Sequence, residues 1–177
     1  VGEARYDSNF DPALFVSGFA HPSAVNPYFP LGIGNLWDYA GAGETIRREV
    51  LNKTKRIEGV TCVVVNDRVE INGQLHEDTD DWYGQRLDGT VDYCGESVRD
   101  FEFNQGDQPL EAELVDIAGS FKAGRDGAQA GTQMPGTPVA GTTHRQEWAP
   151  GNAEDAALIR STTYSFGADP ELDAFVP

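Results

Sequence analysis

Three acidic residues in the middle of the chain could do chemistry together: Glu77, Asp81 and Glu96. Two neighbouring carboxyl groups can divide the work of general acid and general base when their surroundings separate their pKa values. Carboxylate oxygens are also the ligands that calcium prefers, although no stretch of the chain matches the loop of an EF-hand. These residues predict a ligand-binding site, a calcium site or a hydrolytic site, and no sequence motif decides between them.

The three acidic residues lie in a segment whose pattern predicts three antiparallel strands. Asn72-Gly73 and Asp88-Gly89 separate runs of strand-forming residues, which is the pattern of two-residue hairpin turns. Tight turns at both places put Asp81 directly opposite Glu96, on a polar face that also carries Tyr83. Like charges in opposed positions destabilise a sheet, so solvent, a basic side chain or a cation is expected to offset the repulsion.

The other face of the same strands is apolar and is expected to form the core. It carries Val63 and Val65 on the first strand and Trp82 on the second. The register also places Asp78 opposite Arg99, which predicts an ion pair at one end of the sheet.

A later strand offers a basic partner for the acidic face. Residues 143–148 read THRQEW, in which Arg145 and Glu147 point to one side and could meet the acidic face. Open solvent would serve as well, because antiparallel sheets often have one wet face. The candidate ligand-binding residues are Asp81, Tyr83, Glu96, Arg145 and Glu147, and the candidate metal ligands are Glu77, Asp81 and Glu96.

The two cysteines, Cys62 and Cys94, are predicted to be unpaired. In the register above both face Tyr83 from opposite sides, so their Cα atoms would lie about 9 to 10 Å apart. A disulfide needs Cα atoms closer than about 7 Å. A β-bulge in either hairpin would reopen the question, and cysteines in secreted proteins usually pair.

The charge of the chain limits its partners. Its 177 residues include 29 acidic and 13 basic ones, which gives a net charge of −16. Because Lys and Arg carry phosphate binding, this balance argues against nucleic acid and against anionic membrane surfaces. No apolar run of about 18 residues is present, so no membrane-spanning helix is expected. The chain opens without Met or an apolar signal segment, as a cleaved precursor would, which favours a secreted or periplasmic location.

Short strands separated by Gly and Pro predict an all-β, mainly antiparallel fold. We expect a single-domain barrel or sandwich built on the three-stranded meander. A long irregular N-terminal arm should cover residues 1–35, the β-domain residues 36–166, and a C-terminal segment, which could be truncated, residues 167–177.

Several other elements are predicted outside the meander. Asn152 could cap one short helix over residues 152–159, and Asp11 could cap a helical turn in the arm. The Gly- and Pro-rich residues 124–141 predict a loop, and residues 162–166 predict a last strand. The remaining expected elements are strands over 36–40, 44–51, 114–121 and 142–148 and a final helical turn over 169–175.

Blocks of sequence over most of residues 26–155 resemble a known group. The blocks are NPYFPL at 26–31, GVTC at 59–62, EDT at 77–79, DWY at 81–83, GE at 95–96, MP at 134–135, RQE at 145–147 and GNAED at 151–155. Together they resemble a family of uncharacterised secreted bacterial proteins. The resemblance implies export and a single β-rich domain, and it implies no activity. Cys94 departs from it, because the family would have an aromatic residue there, and further strands would be expected after Pro177.

Two kinds of function remain open at this point. The first is a non-enzymatic secreted or envelope domain without a cofactor, acting as an accessory or binding subunit on a protein partner in a larger extracytoplasmic assembly. The acidic composition, the irregular N-terminus and the absence of a nucleophile motif favour it. The alternative is a ligand- or cation-binding protein or a hydrolase, with its site around Asp81 and Glu96. A concave, enclosed face would favour the alternative, and a flat, wet face the first.

Overall fold

The computed structural model describes residues 9–19 and 26–173 and is nearly all antiparallel β-structure. Its main element is a sheet curled into a half-barrel, which confirms the predicted all-β fold. The strands of the described residues are β1 (Leu36–Gly41), β2 (Glu44–Ile57), β3 (Val60–Ile71), β4 (Gln74–Gln85), β5 (Val91–Ser97), β6 (Asp100–Glu102), β7 (Glu113–Asp116), β8 (Phe121–Lys122), β9 (Gln129–Met134), β10 (Thr143–Arg145), β11 (Glu147–Trp148) and β12 (Ala156–Leu158).

The first five strands form an antiparallel meander in chain order. On the far edge, β9 pairs with β5 and β11 with β9, while β8 also pairs with β5. The short β6 and β7 extend the sheet beside β4, and β10 and β12 form a separate two-stranded sheet. The meander therefore extends two strands further towards the N-terminus than the predicted one.

Three hairpins of the meander share one turn chemistry. The turns Ala42-Gly43, Glu58-Gly59 and Asn72-Gly73 all have positive φ at both residues, with values from 47° to 85°. Positive φ at both central residues is the signature of the type I′ turn, whose twist matches that of the flanking strands. The prediction of a hairpin at Asn72-Gly73 is confirmed. At Asp88-Gly89 only Gly89 has positive φ, because the loop has three residues, with Arg86 N–H bonded to Thr90 O.

Two β-bulges change the predicted register. Beyond His76 the pairs of β3 and β4 move by one residue, so that Tyr83 faces Val63 instead of Cys62. On β5, Cys94 is the extra residue between the pairs Tyr83–Tyr93 and Trp82–Gly95. The prediction that Tyr83 separates the two cysteines is therefore wrong.

The cysteines form a disulfide, so the prediction of free thiols is also wrong. Cys62 and Cys94 are bonded, and their Cα atoms lie 6.9 Å apart. The register of β3 and β4, continued by one residue beyond the Val63–Tyr83 pair, places Gly84 beside Cys62, and Gly84 has no side chain to stand between the two cysteines. The two bulges and this glycine bring the cysteines within the distance that a disulfide requires, which a uniform hairpin register does not allow.

The central strands are covered on both faces. On one face, Tyr83 and Tyr93 stack with ring centroids 4.7 Å apart, in a cluster that includes Val63 and Val65. On the other face, the disulfide lies in a second cluster with Trp82. Core residues therefore occupy both faces of β3, β4 and β5, and the predicted division into one apolar and one polar face is wrong.

The described part of the N-terminal arm packs on this sheet. Phe19 and Leu31 are buried in the first cluster and Phe15 in the second. A 3₁₀ turn, Pro12–Leu14, begins after Asp11, whose carboxylate accepts a hydrogen bond from the Ala13 N–H, as predicted.

The predicted helix over residues 152–159 is wrong, because β12 lies there and pairs with β10. Asn152 does not cap a helix. Its amide donates to Ser120 O at 2.8 Å and accepts from the Gly119 N–H, which ties a tight turn to the start of β8. The helix α1 (Pro170–Asp173) lies in the predicted final helical turn. No helix among the described residues is long and apolar enough to span a membrane.

Two further local predictions differ from the structure. Residues 124–141 were expected to be loop, but β9 lies within them, although its sequence QAGTQM has few of the β-branched and aromatic residues typical of strands. Residues 162–166 were expected to be a strand but form turns and bends, and Phe166 is 72% exposed. A strand needs a hydrogen-bonding partner, and the described chain provides none there.

Candidate functional site

A hollow of about 220 Å³ lies on the same face as the Tyr83–Tyr93 cluster, and we refer to it as the acidic cavity. Strands β2 to β5 supply most of its lining, and β9, β11, the residue before β11 and the segment before β12 supply the rest. Its acidic residues are Asp67, Glu77, Asp81, Glu96, Glu147 and Asp155, and the others are Arg48, Thr79, Tyr83, Tyr93, Gln133 and Gln146.

Asp81 and Glu96 form the centre of the site. They are direct cross-strand partners on β4 and β5, as the sequence predicted. The bulge at His76 also makes Val65 the neighbour of Asp81 on β3. Asp81 is therefore on a core face and not on a separate polar face, and it is only 4% exposed.

Arg48 on β2 is the basic partner of this pair. Its Nη2 donates to Asp81 Oδ2 at 3.2 Å and to the Tyr83 hydroxyl at 3.3 Å. Its Nε lies 2.8 Å from Asp67 Oδ2 as an ion pair, although the Nε–H is not aimed at that oxygen as a hydrogen bond requires. The Tyr93 hydroxyl donates to Asp81 Oδ1 at 2.5 Å. Both oxygens of Asp81 are thus bonded within the protein.

The two central carboxyl groups differ in acidity. Burial raises the pKa of Asp81 to about 6, while its hydrogen bond from Tyr93 and the charge of Arg48 work against the rise. Burial raises the pKa of Glu96 to about 8, and the carboxylates of Asp81 and Glu147 add to the rise. At neutral pH the geometry therefore favours an ionised Asp81 beside a protonated Glu96.

The pKa values of other groups in the cavity are raised as well. Burial raises the pKa of Asp67 and of Glu147. Burial also raises the pKa of Tyr83 and of Tyr93 well above the usual value for tyrosine, so both hydroxyls stay protonated. Desolvation disfavours the charge of Arg48, but Tyr83, Asp67 and Asp81 outweigh it and raise the pKa, so Arg48 remains a cation.

The structure brings most of the predicted site residues together. Asp81, Tyr83, Glu96 and Glu147 all line the acidic cavity, and so does Glu77, which accepts a hydrogen bond from the Thr79 hydroxyl. Arg145 does not line it. Its guanidinium lies over the Trp148 ring, 4.7 Å from the centroid, and donates to Glu154 O.

The calcium hypothesis finds no support in the geometry. Among the residues that the structure describes, no three His, Cys, Asp or Glu side chains are grouped so that they could hold a metal ion. Glu77, Asp81 and Glu96 share the cavity without converging on one point. The predicted ion pair between Asp78 and Arg99 is present at 3.1 Å.

Sequence reasoning missed Arg48, Asp67 and Asp155. The Glu58-Gly59 turn could have indicated Arg48, because a hairpin at that turn pairs β2 with β3 and brings Arg48 close to Asp67. The exact pairing depends on an irregularity after Val50, which the sequence does not mark. Asp155 reaches the cavity through the turn that replaces the expected helix.

Comparisons with protein-family models, with curated proteins and with solved structures found no match to this chain. The resemblance to secreted bacterial proteins remains a prediction, and the function has to be argued from the site.

Proposed function

We propose that the protein is an extracytoplasmic binding domain whose acidic cavity takes a positively charged ammonium group. The observation that carries this proposal is the composition of the cavity, where six carboxyl side chains share one guanidinium. A cation beside Asp81 and Glu96 would offset the repulsion that Arg48 leaves uncompensated. The hollow is open to solvent, so a ligand can enter it, and Asp81 lies buried at its wall.

The size of the cavity limits what can enter. About 220 Å³ accommodates an ammonium group with a short alkyl chain, and the rest of a larger ligand would lie outside the hollow. Such a group belongs either to a small free amine or to the lysine side chain of a protein partner in a larger assembly. The chemistry of recognition is the same in both cases.

The proposed location has two supports. The Cys62–Cys94 disulfide is of a kind that persists in oxidising compartments outside the cytoplasm. The net charge of −16 suits a partner that carries positive charge and argues against nucleic acid.

Calorimetric titration with n-butylammonium and with a short lysine-containing peptide tests the proposal. We expect saturable binding that weakens about tenfold or more in Asp81→Asn. Affinity should increase as the pH rises through the pKa of Glu96, about 8, because the ionised carboxyl attracts the cation. Asp38→Asn is the matched control, since Asp38 is an exposed aspartate outside the cavity.

The two probes separate the two sources of the ammonium group. Binding of n-butylammonium without binding of the peptide indicates a free amine, and tighter binding of the peptide indicates a protein partner. Glu96→Gln provides a second test if Asp81→Asn does not fold. The proposal fails if neither probe binds, or if binding is the same in the cavity variants and in Asp38→Asn.

A second candidate function is hydrolysis, favoured by the acidities of the central pair. A protonated Glu96 beside an ionised Asp81 is the division that general acid and base catalysis requires. Turnover of a panel of nitrophenyl glycosides that disappears in both Asp81→Asn and Glu96→Gln would support this function, and no turnover would remove it.

A further inference from the structure

A second hollow lies next to Trp82 and β8, and we refer to it as the basic hollow. Its volume is about 490 Å³, more than twice that of the acidic cavity. Its lining is Lys55, Trp82, Glu96, Ser97, Ser120, Phe121, Lys122, Arg125, Asp126, Ala128, Ala149, Pro150 and Asn152.

The basic hollow concentrates positive charge on an acidic protein. Three of the 13 basic residues of the chain, Lys55, Lys122 and Arg125, line this one hollow. Six other basic side chains form ion pairs within 4.0 Å, but among the described residues these three form none. Within the described part of the chain, no ion pair neutralises their charges.

The three cations affect one another. The Lys55 ammonium lies 3.4 Å from the centroid of the Trp82 ring, which fixes it over the aromatic face. Burial lowers the pKa of Lys55, and the charges of Lys122 and Arg125 lower it further, although the charge of Asp80 works against them. An anion placed among them would relieve this repulsion.

The fold holds these residues in place. Lys55 is the cross-strand partner of Cys62 on β3, and Lys122 is the partner of Gly95, which follows Cys94 on β5. The disulfide thus joins the strands that neighbour the two lysines. Gly95 has φ 134°, and a Cβ there would collide with the Phe121 carbonyl, so only glycine lets β8 approach this closely.

Arg125 is presented by a turn that follows β8. The Arg125 N–H bonds to Lys122 O and the Ala128 N–H bonds to Arg125 O, which closes the turn against the hollow. The hydroxyls of Ser97 and Ser120 and the amide of Asn152 add uncharged polar groups to the same lining. Charged and neutral donors together suit an oxyanion with several acceptor oxygens.

We propose that the basic hollow binds a tetrahedral oxyanion, a phosphate or sulfate group, among Lys55, Lys122 and Arg125. The acidic residues of the same lining are Glu96 and Asp126. The raised pKa of Glu96, about 8, leaves that carboxyl mostly protonated at neutral pH, so it opposes an anion weakly. The balance of charge in the hollow is then positive.

Calorimetric titration of the intact, oxidised protein at pH 7 tests this site, with inorganic phosphate and inorganic sulfate as probes and acetate as the reference anion. We expect saturable binding of phosphate or sulfate below about 10 mM and at least about tenfold weaker binding of acetate. Binding of phosphate alone or of sulfate alone identifies which group the site selects.

Three single substitutions of equal charge change locate the binding. Lys122→Gln and Arg125→Gln should each weaken binding about tenfold or more, whereas Lys53→Gln, an exposed lysine on β2 outside the hollow, should leave it unchanged. Arg125 is exposed and lies outside the strands, so its replacement keeps the test valid if Lys122→Gln does not fold. The proposal is overturned if neither anion binds below about 10 mM, or if all three variants bind like the unmodified protein.

Discussion

The acidic cavity and the basic hollow are neighbouring sites and differ in how their charges are compensated. In the acidic cavity, Arg48 sits inside the cluster and contacts Asp67, Asp81 and Tyr83. In the basic hollow, no described acidic side chain forms an ion pair with the three cations. Glu96 lines both, so each site influences the other through one carboxyl group.

This difference indicates what each site does for stability. Arg48 is part of the fold, because its removal leaves a buried Asp81 without its cation. The three cations of the basic hollow form no ion pair with a described residue, so they contribute little to the fold in this way. They are available to bind an anion. The Cys62–Cys94 disulfide joins β3 and β5, the strands that neighbour Lys55 and Lys122.

The largest expected effect comes from removing the disulfide. Replacing both Cys62 and Cys94 by Ala should lower the free energy of unfolding by about 3 to 4 kcal/mol, because the cysteines close a loop with a sequence separation of 32. Denaturant unfolding measures this. Phosphate binding at the basic hollow should weaken, while ammonium binding at the acidic cavity should persist. Labelling of two thiols in unfolded, non-reduced protein would contradict the structure.

The next effect separates the buried arginine from an exposed one. Arg48→Ala should destabilise the protein by about 2 to 4 kcal/mol, since it leaves Asp81 and Asp67 without their cation. Its neighbour provides the control, because Arg47 pairs with Asp38 where both side chains are more than half exposed. Arg47→Ala should cost less than about 1 kcal/mol. Equal losses in the two variants would show that Arg48 is not the partner of a buried pair.

A smaller effect concerns the pH dependence of stability. The folded-state pKa values of Asp81 and Glu96, about 6 and about 8, lie above the ordinary values of 3.8 and 4.5. The folded state therefore binds more protons than the unfolded state, and stability should fall as the pH rises from about 4.5 to about 8. Glu96→Gln should remove much of this fall and be more stable than the unmodified protein by about 1 to 2 kcal/mol above pH 8.

Unfolding midpoints across this pH range check the prediction. Glu102→Gln, on the short strand β6, serves as the exposed control and should follow the unmodified protein. A Glu96→Gln curve parallel to that of the unmodified protein would mean that Glu96 ionises without cost in the folded state.

Much of the fold could be predicted because its signals are local. The Asn72-Gly73 hairpin and the opposition of Asp81 and Glu96 follow from turn residues and alternation. The opposition was predicted correctly because two departures cancel: the three-residue loop shifts the pairs nearest the turn by one residue, and the bulge at Cys94 shifts the later pairs back. The prediction of the register around Tyr83 failed where one inserted residue forms a bulge, at His76 and at Cys94. The prediction of unpaired cysteines rested on that register and failed with it.

The rest of the site depends on contacts between distant parts of the chain. Arg48 reaches Asp81 through the pairing of β2 with β3, after an irregularity that alternation does not reveal. Arg145 was expected at the acidic face from alternation in its own strand, but its position was fixed by Trp148. The basic hollow was not predicted at all, because its lysines are 67 positions apart and meet only through β5 and β8.

Titration of the Glu96 side-chain carboxyl carbon by NMR, assigned with Glu96→Gln, tests the central claim most directly. That claim is that the acidic cavity holds a carboxyl pair without enough positive charge and therefore takes a cation. The account predicts an inflection near pH 8 in the free protein, and a lower value in the presence of n-butylammonium. An inflection near the ordinary value of 4.5, unchanged by n-butylammonium, would contradict it.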